Sequence, residues 1–324
     1  MERRILMSWK KVLTITTVLA GATSVGIHLI NKAIYISATI DHLLKPETET
    51  YYDWKFGKIF YTKQGQGTPI LLIHDLNTSS SKYEWKNIIK ALSENRTVYT
   101  LDLLGCGRSE KPNLTYTNYL YVQLVNDFIK NIIKEKSDVI VTGQSSSFIL
   151  GACQNNREII GNIIMINPAD IHTTAHIPTN SSRILTKLIL LPLVGTLLYN
   201  ILVRKDNIEK RFREQYFSDK SKIKHEDIMT YYEAAHYGNP SSKYLFASLS
   251  GNYLTANVML YLKDLSNSIF IITGADERSK SEAEEYQKLL PSIEIFSLQE
   301  AGYLPQLETP DRLLEQIKIC LNIE

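Results

Sequence analysis

The sequence predicts an α/β protein: a mostly parallel sheet of about eight strands with helices on both faces, one helical insertion, and an N-terminal helix of transmembrane type. Three observations carry this reading. From residue 51 onward, short apolar runs alternate with stretches of helical periodicity. Between Asn167-Pro168 and Ser268 the alternation stops, and about a hundred residues hold only helical patterns. Residues 12–30 contain no Asp, Glu, Lys or Arg and are preceded by Arg3, Arg4, Lys10 and Lys11.

Composition narrows the class. Hydrophobic residues make up 44% and charged residues 22%, the balance of a globular chain rather than a disordered one. The net charge of +2 comes from the first fifty residues, and the remainder is balanced. A nucleic-acid footprint is therefore not expected. Cys106, Cys153 and Cys320 are too few and too scattered for a disulfide framework or a zinc site, and read as buried thiols. No metal and no cofactor is expected.

At about 1.5 Å per residue the run over 12–30 is roughly 28 Å long, near the thickness of a bilayer core. Thr14, Thr16, Thr17, Thr23, Ser24 and His28 make it only moderately apolar. A membrane anchor is the first reading. Ala20-Gly21-Ala22 also suits a cleaved signal peptide, and Ile34, Ile36 and Ile40 extend the apolar pattern as a packed helix would. If the run spans, the basic cluster stays cytoplasmic and the large domain lies outside. The alternative is a cytoplasmic, membrane-associated protein. The expected division is anchor and linker over 1–50, an α/β core over 51–169 and 266–324, and a helical cap over 170–265.

The elements follow in order. Residues 53–56 and 58–62 read as a hairpin joined at Gly57. Ile70-Leu71-Leu72-Ile73 is a continuous apolar run, the mark of a strand covered on both faces. A helix is predicted over 82–93, a strand over 97–101, a helix over 118–133, and strands over 139–142 and 163–166. In the insertion, helices are predicted over 184–203, 207–217, 225–236 and 243–262. The first is apolar on nearly every face and carries Pro192, where a kink is expected. It suits packing on the sheet, an apolar pocket wall, or a membrane-facing patch. Strands over 269–273 and 293–298 then alternate with helices over 281–290 and 311–321.

The chemistry centres on Gly143-Gln144-Ser145-Ser146-Ser147, which follows a buried strand and precedes a small-residue helix. That is the form of a nucleophile elbow with Ser145 at its apex, although Ser147 stands where glycine is usual. Three further segments accompany it: His74-Asp75-Leu76 after the first core strand, Asp102-Leu103-Leu104-Gly105-Cys106-Gly107-Arg108-Ser109, and Gly302-Tyr303-Leu304-Pro305-Gln306-Leu307-Glu308-Thr309-Pro310. Together the four resemble the α/β-hydrolase family, in its single-chain branch with a helical cap.

The resemblance implies roles. Ser145 would be the nucleophile, and the backbone N–H groups of Leu76 and Ser146 the oxyanion hole. Asp75 replaces a glycine, and its carboxylate would oppose a developing negative charge there. His74 would be structural. The acid would be Asp276 or Glu277, with Asp170 behind them. At the position of the catalytic histidine stands Tyr303. A tyrosine titrates near pH 10 and cannot take a serine's proton as imidazole does. His172, His176 and His236 are the remaining histidines that could reach the site from the cap. Two functions follow: a serine hydrolase of an apolar ester or amide with an atypical or impaired triad, or a catalytically inactive relative that binds a small ligand or a partner.

Overall fold

The computed structural model describes residues 9–44 and 50–323, with side chains from residue 21 onward. Arg3 and Arg4, the side chains of Lys10 and Lys11, and those of the anchor run over 12–20 lie outside the described residues.

An eight-stranded sheet has the order β1-β2-β4-β3-β5-β6-β7-β8. Its strands are β1 (Tyr51–Trp54), β2 (Gly57–Gln64), β3 (Pro69–Ile73), β4 (Thr97–Leu101), β5 (Ser137–Thr142), β6 (Ile160–Ile166), β7 (Ile269–Thr273) and β8 (Glu294–Ser297). β1 and β2 are antiparallel at one edge, and every pairing from β4 to β8 is parallel. The helices are α1 (Trp9–Thr39), α2 (Ile89–Leu92), α3 (Asn118–Phe128), α4 (Ser146–Asn155), α5 (Ile171–Thr174), α6 (Asn180–Leu190), α7 (Val194–Leu202), α8 (Lys205–Arg211), α9 (His225–His236), α10 (Lys243–Ser250), α11 (Val258–Leu262), α12 (Glu277–Leu289), α13 (Pro305–Glu308) and α14 (Pro310–Leu321).

Alternate residues of the central strands feed two separate cores. Leu71, Ile73, Val139, Val141, Ile163 and Met165 pack on one face against α3, α4 and α12. Ile70, Leu72, Ile140, Ile164 and Ile166 pack on the other against α14. Both faces are covered, which is why these strands read as unbroken apolar runs. Each fully buried side chain of this size contributes roughly 1.5–3 kcal/mol of transfer free energy.

Some expected elements are broken. The segment 82–93 is a short 3-10 turn, Lys82–Trp85, followed by α2. The segment 118–133 ends in a single π-turn, Ile129–Ile133. The apolar stretch 184–203 divides at Pro192 into α6 and α7, and the axis of Asn180–Leu190 lies 109° from that of Val194–Tyr216. Proline lacks the N–H and clashes with the preceding turn, so the break falls where the chemistry demands it. The segment 243–262 is likewise two helices, α10 and α11.

Among the described residues, no single helix is long and apolar enough to cross a membrane. Residues 21–30 of α1 are largely exposed, whereas Asn31, Ala38 and Leu44 are buried against the body. Asn200 Nδ2 donates to Asn31 Oδ1 at 3.0 Å and Asn31 Nδ2 to the Leu193 carbonyl at 3.1 Å. Beyond α1, the Glu233 carboxylate accepts from the N–H groups of Leu43 and Leu44 at 2.7 and 3.3 Å.

Candidate functional site

In a parallel sheet the strand carboxyl ends converge, and loops leaving them form sites. Here β3 delivers His74 and Asp75, β5 delivers Gly143, β6 delivers Asn167, and β7 delivers Gly274 and Asp276. The loop around Tyr303 closes over them. Asn167 joins three of these loops: Gly274 N donates to its Oδ1 at 2.8 Å, and its Nδ2 donates to the carbonyl of Tyr303 at 2.9 Å.

The turn after β5 departs from the reading of the motif. Its left-handed residue is Gly143, with φ +59°. Ser145 has φ −65° and ψ −20°, ordinary right-handed backbone. Ser145 is fully buried, and its hydroxyl donates to the His74 carbonyl at 2.7 Å. A Cβ on Gly143 would collide with the hydroxyl of Tyr303 and with Asp75 Oδ1. The direction of a side chain at the apex therefore points to Tyr303 and Asp75, and those two groups fill the space. Ser146 is also fully buried, and its N–H bonds the carbonyls of Gly143 and Gln144 as the helix begins. The Ser147 hydroxyl donates to the Gln144 carbonyl at 3.0 Å and accepts from Asn118 Nδ2 at 2.9 Å, which accommodates a residue larger than glycine between α3 and α4.

Two backbone amides converge beside the apex. They belong to Leu76, as expected, and to Gln144 rather than Ser146. Both donate to a single acceptor, Asp75 Oδ1, at 2.8 and 2.9 Å. Asn77 Nδ2 donates to Oδ2 at 3.1 Å, and the Tyr303 hydroxyl also hydrogen-bonds this carboxylate. Burial raises the pKa of Asp75, and these donors offset part of the rise.

Behind it lies Glu84, fully buried. It accepts from the N–H of Asp75 at 3.1 Å and from the Tyr231 hydroxyl at 3.0 Å. Burial and the neighbouring Asp75 charge push Glu84 up to about 8, so it holds its proton at neutral pH. Nothing in the sequence singled out Glu84. Its signal is the lone acid of residues 76–93, three residues past Ser81.

Tyr303 stacks on Tyr216 with ring centroids 5.7 Å apart and planes 20° from parallel. Burial, then the Asp75 charge, raises its hydroxyl well above the ordinary value, which makes it a donor and not a base.

The expected acids go to other partners. Asp276 caps α12 by accepting from Ser279 N at 2.9 Å, although it lines the same cavity. Glu277 is exposed and pairs with Lys280 at 3.0 Å. Asp170 caps α5 through the N–H of His172 at 2.7 Å. His172 faces solvent beside Glu285, and His176 is exposed. His236 is buried in α9, its Nδ1 bonded to the Tyr232 carbonyl at 2.9 Å, and burial pushes it down to about 4. None of the three histidines lines the cavity. His74 is enclosed, with Nε2 accepting from the Leu103 N–H at 3.0 Å.

The cavity above the turn measures about 630 Å³. Asp75, Gln144 and Tyr303 lie at its floor, with Arg211, Glu214, Arg278 and Glu282 in its walls. Among the described residues no group of His, Cys, Asp and Glu could hold a metal ion.

Comparison with known proteins extends this picture. The model of the alpha/beta hydrolase family matches residues 70–316. A 2-hydroxy-6-oxo-6-(2'-aminophenyl)hexa-2,4-dienoic acid hydrolase of Metapseudomonas resinovorans is 26% identical over 118 residues, 36% of this chain and 41% of that protein. A soluble epoxide hydrolase of Corynebacterium sp. (strain C12) is 29% identical over 110 residues, 34% of this chain and 38% of that protein. The chain thus matches only about two fifths of the length of these relatives. Among solved structures, a serine hydrolase involved in carbazole degradation has a TM-score of 0.68 at 16% identity, covering 86% of this chain and 99% of that one. A membrane phospholipase A described as a bacterial virulence factor has a TM-score of 0.67 at 19% identity, covering 97% and 98%. At such identities the likeness establishes the fold alone.

Proposed function

This chain belongs to the alpha/beta hydrolase family, and we propose that within it the chain is a membrane-tethered, non-hydrolytic member whose cavity binds a small ligand. The observation that carries this reading is the Asp75 carboxylate, held by the N–H groups of Leu76 and Gln144. In a working serine hydrolase two such amides stabilise the oxyanion that develops in the transition state. Here the resident Asp75 carboxyl group already occupies both amides. A substrate oxygen would have to displace a group held by four donors.

Two further features support the same conclusion. Gly143 occupies the apex of the turn and supplies no nucleophile, while the Ser145 hydroxyl donates to the His74 carbonyl. Tyr303, at the position where the motif places histidine, hydrogen-bonds Asp75 and is raised in pKa, so it supplies no general base to the turn. Arg211, Glu214, Arg278 and Glu282 in the cavity walls offer charged contacts to a small polar ligand. Tethering rests on the uncharged run over 12–30 and on the exposure of Val25, Leu29 and Ile30 before α1 meets the body.

The test is turnover of p-nitrophenyl esters of short and long acyl chains by the purified full chain. The expected result is a rate indistinguishable from that of Ser145→Ala. A rate that is lost in Ser145→Ala would restore the serine-hydrolase reading.

A further inference from the structure

The α6–α7 hairpin carries an apolar surface that the cavity does not use. Ile184, Leu188, Leu191, Val194 and Ile201 are between 45 and 60% exposed. Contiguous apolar exposure of this kind marks an interaction surface. Residues 180–203 contain no acid, and their only charged side chains are Arg183 and Lys187. By length and composition, the bent pair Asn180–Leu190 and Val194–Tyr216 is apolar enough to enter a membrane.

Its position gives the surface a direction. The Leu193 carbonyl at the hairpin tip accepts from Asn31, and Asn200 of α7 donates to the same side chain. Asn31 is the first position after the uncharged run, and Lys32, which is exposed, follows it. With residues 12–30 in lipid, Asn31 lies at the boundary between hydrocarbon and headgroups, and the hairpin tip lies at the same level. Apolar residues there meet acyl chains, while Arg183, Lys187 and Lys32 extend to phosphates.

From this we propose that α6 and α7 form an interfacial membrane element whose occupant is an anionic lipid surface, the same one that α1 enters. The proposal rests on the tether reading and adds a second contact independent of it in residues. It makes the body of the protein lie against the bilayer rather than hang from a single helix. The lack of acid along 180–203 favours the lipid surface over a second copy of this chain, whose same patch carries the same positive charges.

The test uses the full chain in vesicles of phosphatidylcholine with phosphatidylglycerol, labelled with an environment-sensitive fluorophore at Leu191→Cys, Ile184→Cys, Val25→Cys or Glu277→Cys. The native cysteines are buried. All four labelled positions are exposed and lie outside the cavity floor. The expected result is a blue shift, and quenching by acyl-chain nitroxide lipids, at 191, 184 and 25, with none at 277. Quenching at 25 alone would overturn the hairpin proposal and leave the tether standing. Quenching nowhere would overturn both. Shielding at 191 and 184 without lipid quenching, accompanied by crosslinking between copies, would assign the surface to a second chain and overturn the proposal.

Discussion

Gly143 and Asp75 define the site between them, and both can be tested directly. A non-glycine residue in the left-handed region costs roughly 1–2 kcal/mol, and a Cβ at 143 must also displace Tyr303 and Asp75. Gly143→Ala is therefore expected to lose more stability in urea than the backbone term alone, and Tyr303→Phe in the same chain is expected to recover part of the loss. Glu84 gives a second readout. In the folded state its pKa is about 8 against an ordinary 4.5, so the folded protein binds the extra proton between those values. Stability from this group is complete below about 4.5 and is lost as pH rises through about 8. Melting temperature should fall across that window, and Glu84→Gln should flatten the fall. Equal slopes in the two proteins would show that Glu84 does not hold the proton.

At the scale of elements, the docking of α1 rests on the Asn31–Asn200 pair and on Glu233. Asn31→Ala would leave Asn200 Nδ2 and the Leu193 carbonyl without these partners, at a cost of about 1–3 kcal/mol. Chemical denaturation of the full chain reads this, and an unchanged midpoint would mean that α1 does not dock. The central strands β3, β5, β6 and β7 were legible because two-sided burial writes them as apolar runs. The break at Pro192 was foreseeable for the reason given by its ring, and the split of 243–262 also had a signal that went unread, the Gly251-Asn252 pair that ends α10. At the turn after β5 the string and the backbone differ by two residues, with Ser145 central to the string and Gly143 in the left-handed conformation. Gly-x-Ser-x-Ser satisfies the pattern as a string, whereas backbone geometry follows the end of β5 at Thr142, which puts Gly143 first in the turn. Gln144 was missed as an amide donor by the same shift.

Across the whole molecule, the remaining family segments act as struts. Asp102 accepts from the N–H groups of Lys82 and Arg108 at 2.7 and 2.8 Å. Glu308 ties Gly302 N to Asp219 N at 2.5 and 2.6 Å, joining the Tyr303 loop to the inserted helices. These contacts stabilise the frame whether or not it catalyses. Asp75 in place of glycine was the one sequence sign that the site is filled; the turn of its carboxylate onto the Leu76 and Gln144 amides leaves no pattern of its own. Intact mass after incubation of the full chain with a fluorophosphonate tests the filled site most directly. An unmodified mass is expected in wild type and in Ser145→Ala alike. A single adduct on the peptide that holds Ser145, absent from Ser145→Ala, would contradict it.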